Sequence, residues 1–141
     1  MKKLCLSIVS CLFFCFSVYS ENINQNQITD HDILSFCQNY LTIEKELKEN
    51  FESKNPTFFA GTLLDLDGAE EILGKNGITG YDRVLKTKKI GFCYQILEMN
   101  NEFVFSDLDF TDYEFSITQD EFITIKKYFS ELKSIFENYI D

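Results

Sequence analysis

From Thr29 onward, apolar residues return every three or four positions: Ile33, Phe36, Cys37, Tyr40, Leu41, Leu47 and Phe51. That spacing lays one apolar stripe along a helix. Glu44, Lys45, Glu46, Lys48 and Glu49 fill the other side. The Thr29 hydroxyl can accept from the free N–H groups of the first turn, where Asp30 and Asp32 are also favoured. The helix is expected to stop before Asn55-Pro56, because a residue preceding proline avoids helical geometry. A second helical region covers Thr57 to Asn76, on the period of Phe59, Leu63, Leu66 and Leu73. Gly61 and Gly68 weaken it by up to ~1 kcal/mol each relative to alanine. Two short helices or one kinked helix is therefore expected, with Asp67 and Glu70 as a capping pair and Asn76-Gly77 as the stop.

A third helix is expected from Thr79, which caps it, with Asp82 in its first turn. Its stripe is Tyr81, Val84, Leu85, Phe92, Cys93, Ile96 and Leu97, and Asn100-Asn101 breaks it. Thr118 and Glu121 form a capping box that opens the last helix, carrying Phe122, Ile125, Phe129, Leu132, Ile135, Phe136 and Tyr139. In between, Phe103, Phe105, Phe110, Tyr113 and Phe115 stand among polar residues. Residues 102–116 read as either a small β-hairpin or an irregular loop anchored by aromatics. The fold expected is all-α: a compact bundle of four to five helices, with short connections between antiparallel neighbours.

Residues 1–20 follow a different pattern. Lys2 and Lys3 precede an apolar stretch from Leu4 to Val18, broken by Ser7, Ser10 and Ser17, and Val18-Tyr19-Ser20 ends on a small residue. This is the pattern of a secretory signal peptide. The stretch is shorter than the roughly 20 residues that a bilayer core needs. Ile8-Val9-Ser10-Cys11 resembles a lipobox, but cleavage there would leave only about seven apolar residues before it and Leu12 to Val18 exposed. Cleavage after Ser20 leaves a single helical domain, residues 21–141, with a polar lead-in over 21–28 and no integral membrane span. The mature protein is then expected in the periplasm or outside the cell.

Composition narrows the function. The chain has 141 residues and a net charge of -10, which argues against nucleic acid as a partner, since phosphate binding needs Lys and Arg. Signal cleavage removes Cys5, Cys11 and Cys15 and leaves Cys37 and Cys93. An oxidising compartment would favour a disulfide between these two. Closing so long a loop is worth on the order of 4 kcal/mol. The alternative is two thiols buried as small hydrophobes.

Candidate chemistry is thin. The one histidine, His31, lies in a first helical turn, and neither Cys37 nor Cys93 has the positive surroundings that make a thiolate nucleophile. Two cysteines far apart with one histidine do not make a zinc site. Asp65-Leu66-Asp67-Gly68 resembles part of a calcium loop, but Asn76 stands where the closing glutamate should be. No catalytic residue, metal or cofactor is expected.

Charge distribution is the one feature that points to a function. Lys75, Arg83, Lys86, Lys88 and Lys89 form a basic run, of which Lys86 to Lys89 is a short candidate contact for anionic lipid or another polyanion. Between Lys89 and Lys126 there is no cation, while Glu98, Glu102, Asp107, Asp109, Asp112, Glu114, Asp120 and Glu121 accumulate. This is the pattern of an acidic, aromatic edge that steers and anchors a basic protein, with Asp107, Asp109, Asp112, Tyr113 and Glu114 at its centre. The expectation is an exported binding protein rather than an enzyme, an inhibitor or immunity-type protein for a basic partner. Two alternatives are a carboxylate-dependent enzyme acting on the cell envelope and a helical envelope protein of another role. The plainer reading of the edge is a solvated loop whose aromatics point inward.

Overall fold

A computed structural model describes residues 26–50, 64–65, 67–111 and 113–137. The expected signal peptide, the stop at Asn55-Pro56 and the region from Thr57 to Leu63 lie outside the described residues. Among the described residues five α-helices and one 3-10 turn follow in order: α1 (Asp30–Glu49), α2 (Ala69–Lys75), α3 (Arg83–Met99), the 3-10 turn (Phe105–Asp107), α4 (Gln119–Lys127) and α5 (Phe129–Glu137). They pack as a compact all-α bundle. No strand occurs among the described residues, so 102–116 is the irregular loop and not the hairpin.

Helices α1 and α4 begin in the same way. The Thr29 hydroxyl accepts from the Asp32 N–H at 3.2 Å, and Asp32 accepts from the Thr29 N–H at 3.0 Å. Thr118 and Glu121 repeat the exchange at 3.2 and 2.9 Å. Each box satisfies two N–H groups that a helix start leaves open.

Helix α3 starts differently from the expectation. Asp82, not Thr79, is its N-cap and accepts from the Leu85 N–H at 3.2 Å. Glu70 reaches over from α2 to accept from the N–H groups of Arg83 and Val84, at 3.0 and 2.9 Å. The expected Asp67–Glu70 pair is therefore not a capping box: Gly68 holds the N-cap position of α2 at φ 91°, without a side-chain cap. The expected single last helix is two. At Tyr128 the N–H reaches back three residues to the Ile125 carbonyl, at 3.1 Å, and this tightened turn separates α4 from α5.

Ile33, Phe36, Tyr40, Ile43 and Leu47 of α1 meet Ile90, Cys93, Tyr94 and Leu97 of α3 and Phe122, Ile125, Leu132 and Phe136 of α4 and α5 in one core. Rings dominate its α5 end: Tyr94 and Phe136 lie 4.5 Å apart, and Tyr40 and Phe136 5.3 Å. Two stripe positions of the sequence reading are outside it, since Leu41 is 52% and Tyr81 68% exposed. On α3 the buried face is turned toward Lys86, Ile90, Cys93 and Leu97. A lysine at a core position hid that face from apolar periodicity. The turn before α3 also comes close to α1: a Cβ at Gly77, which has φ 94°, would stand 2.9 Å from the Ser35 Oγ.

Candidate functional site

The charged side chains sort into two groups. Every described lysine and arginine is engaged within the fold. Lys86 pairs with Asp32 at 3.0 Å, Lys88 with Asp65 at 2.6 Å, and Lys89 with Glu121 at 3.1 Å. Lys75 meets Glu46 at 2.7 Å, and Arg83 lies 3.8 Å from Glu70. The basic run is thus paired with intramolecular acids, and Lys86 is buried. Four further lysines are also paired: Lys45 with Glu49, Lys48 with Glu44, Lys127 with Asp30 and Lys133 with Glu137. Lys126 donates to the Phe103 carbonyl at 2.9 Å.

Acids are in excess: among the described residues Asp67, Glu71, Asp82 and Glu131 also lack an ion pair, but most of the remainder lies in one stretch. None of the ion pairs among the described residues involves Glu98, Glu102, Asp107, Asp109, Glu114 or Asp120. All six are exposed. Asp109 accepts from both the hydroxyl and the N–H of Thr111. These bonds, the hydroxyl's first, hold its carboxyl below the ordinary range, so it is ionised near neutral pH. Asp112 lies outside the described residues.

The aromatics of the same stretch form a layer beneath these acids. Phe92 of α3 is the hub, with Tyr113 at 4.6 Å, Phe115 at 5.7 Å and Phe110 at 6.1 Å. Phe105 packs on Phe122 of α4 at 6.1 Å. Phe103, Phe105, Phe110 and Phe115 are half-buried, whereas Tyr113 is 49% exposed. Val104 and Met99, earlier in the chain, are also exposed. Of the predicted centre, Asp107, Asp109, Tyr113 and Glu114 are therefore on the surface. Most of the phenylalanines serve as their foundation.

The most buried charges have a different role. Asp32 is fully buried and accepts from five donors. Its Oδ1 takes the Thr79 N–H at 2.7 Å and the Thr79 hydroxyl at 2.8 Å, and its Oδ2 takes Lys86 at 3.0 Å and both Thr29 donors. Burial alone would push its carboxyl up. The Thr79 N–H, Lys86 and the other donors outweigh burial and hold it below the ordinary carboxylate range. Glu121, likewise buried, receives Lys89 on both oxygens and the Ile28 N–H at 3.4 Å. Both carboxylates accept from donors that position helices. Sequence reasoning missed the pairing because Lys86 and Lys89 read as surface charge. Their spacing of three, one helical turn, was the available signal.

Cys37 and Cys93 are free thiols in this structure, not the expected disulfide. Cys93 is buried, and its thiol is pushed up to about 12 by burial and then by Glu121 of α4. Cys37 is half-buried, pushed up to about 11 by burial and then by Glu131 of α5. The two thiols thus feel different helices, and both stay protonated at neutral pH. His31 is exposed and lies 3.5 Å from the Ser35 hydroxyl. No group of three or more metal-binding side chains occurs among the described residues. No described helix is long and apolar enough to cross a membrane. No family model matches the chain, and no curated protein or solved structure does either.

Proposed function

We propose that the mature chain is an exported protein that acts by binding, and that its segment from Glu102 to Asp120 docks a basic protein in the manner of an inhibitor or immunity-type protein. One observation carries the reading. The fold pairs or engages every described cation, yet leaves Glu102, Asp107, Asp109, Glu114 and Asp120 without a counter-charge among the described residues. Exposed Tyr113 stands among them as an amphipathic anchor. Unpaired acids of one sign raise the encounter rate with a cationic surface, and an aromatic slows its departure.

The test uses the basic protein retained by the mature chain from its own envelope extract. Neutralising Asp107, Asp109 and Asp112 together to asparagine is expected to lower the on-rate about tenfold at low salt and to flatten its salt dependence. Tyr113→Ala is expected to raise the off-rate instead. An unchanged on-rate and salt slope in the triple variant returns the segment to a plain solvated loop.

Export is part of the same proposal, supported by the pattern of residues 1–20. Intact-mass measurement of the exported protein is expected to give a chain beginning at Glu21. A mass that retains Met1, or a lipid-modified chain beginning at Cys11, would refute it.

A further inference from the structure

Between Val104 and Ile117 the chain passes from α3 to α4 without a hydrogen bond to either helix among the described residues. Its own bonds are local. The Asp107 N–H reaches the Val104 carbonyl at 3.0 Å, Leu108 reaches Phe105 at 3.1 Å, and Tyr113 reaches Phe110 at 3.1 Å. Lys126 fixes only the entry, through the Phe103 carbonyl. Ring contacts hold the rest down: Phe110, Tyr113 and Phe115 on Phe92, and Phe105 on Phe122.

Two forces therefore act on this segment in opposite senses. Apolar contact is short-ranged and draws it onto α3 and α4. Asp107, Asp109 and Glu114, exposed and unpaired, repel one another and their neighbours Glu102 and Asp120. That repulsion reaches about 30 Å at 0.01 M salt but only about 8 Å at 0.15 M. A segment tied by few backbone bonds opens locally at low free-energy cost.

We propose that Val104–Ile117 is a charge-set strap. Its acids push it off Phe92 and Phe122, and surrounding positive charge, whether salt or a basic partner, closes it. This rests on the docking reading only for the partner's role in closure. A docking partner would then do more than occupy the acidic edge: it would seal the aromatic layer beneath.

Chymotrypsin provides the test, read at Phe105 and Phe110, which are half-buried against Phe122 and Phe92 and become cleavable where the strap lifts; cleavage at the exposed Tyr113 is counted separately. The mature protein is nicked in about 10 mM and about 150 mM sodium chloride, conditions on either side of effective screening. Each rate is divided by that of a free peptide of residues 102–117 in the same buffer, which removes the effect of salt on the protease. Nicking is expected to slow roughly threefold at the higher salt. The variant Asp107→Asn/Asp109→Asn/Glu114→Gln is expected to be nicked slowly in both buffers. Its substitutions are at exposed positions, and an unchanged urea midpoint verifies its fold. Equal normalised rates in the two buffers for the unaltered protein would overturn the strap, as would a salt effect that persists undiminished in the variant. Neither measurement involves a partner, so the strap and the docking surface can fail separately.

Discussion

Truncating Lys86 to alanine is expected to destabilise the protein by about 3–5 kcal/mol, the usual cost of breaking a buried ion pair from one side. The lysine side chain is 2% exposed and its partner Asp32 is 0% exposed. Removing the ammonium leaves a carboxylate in the core whose remaining donors are the N–H groups and hydroxyls of Thr29 and Thr79. The pH dependence follows from the sign of the Asp32 shift. Its folded-state pKa lies below the unfolded one, so its contribution is present above the ordinary aspartate value and is lost as pH falls through the lower, folded value. Without Lys86 burial gains relative weight and the folded value rises, so acid unfolding should begin at a higher pH than in the unaltered protein. Urea melts at neutral pH and an acid titration followed by circular dichroism measure both effects. A double variant, Asp32→Asn with Lys86→Met, is expected to lose less than the sum of its single changes, because neither leaves a charge behind. Additive losses would show that the two groups do not act as a pair.

Phe36→Ala is the second large effect, expected at about 3–5 kcal/mol. Phe36 is fully buried and touches Tyr40 at 5.6 Å and Phe136 at 6.3 Å. Its removal would open a cavity where α1 meets α5, lined by rings too large to collapse into it. Phe129, a core position by periodicity, is only partly buried, packed against Tyr94 at 5.8 Å. Phe129→Ala is expected to cost roughly 1–2 kcal/mol, because solvent already reaches the side chain. Urea midpoints of the two variants decide the point: equal losses would mean that α5 turns a different face to the core.

Periodicity and capping signals carried most of the fold. Thr29 as a cap ahead of Asp30 and Asp32, and the box of Thr118 with Glu121, marked two helix starts correctly because such caps are made within four residues of one chain segment. The start of α3 was misplaced because its cap depends on Glu70, which belongs to another helix. No local pattern contains that contact. The same limit hid Lys86: an apolar template counts lysine as surface, and only the arrival of Asp32 makes its burial tolerable. At the candidate site, the acids of the loop were legible as exposed charge. Sequence could not say which aromatics lie under them, since this depends on Phe92 and Phe122 projecting from two different helices.

The paired lysines of α3 have a consequence for how three helices can sit together. The peptide units of a helix add up to a macrodipole whose N-terminal end carries roughly half a positive charge. Lys86 faces that end of α1, and Lys89 that end of α4. Each junction would by itself bring like-signed poles together. Asp32 and Glu121 stand between them as shared counterions, one carboxylate serving a lysine and a helix end at once. Moving either helix by one turn would carry its acid away and leave two positive poles face to face. Alignment of α1 and α4 along α3 is thereby enforced by repulsion as much as by attraction.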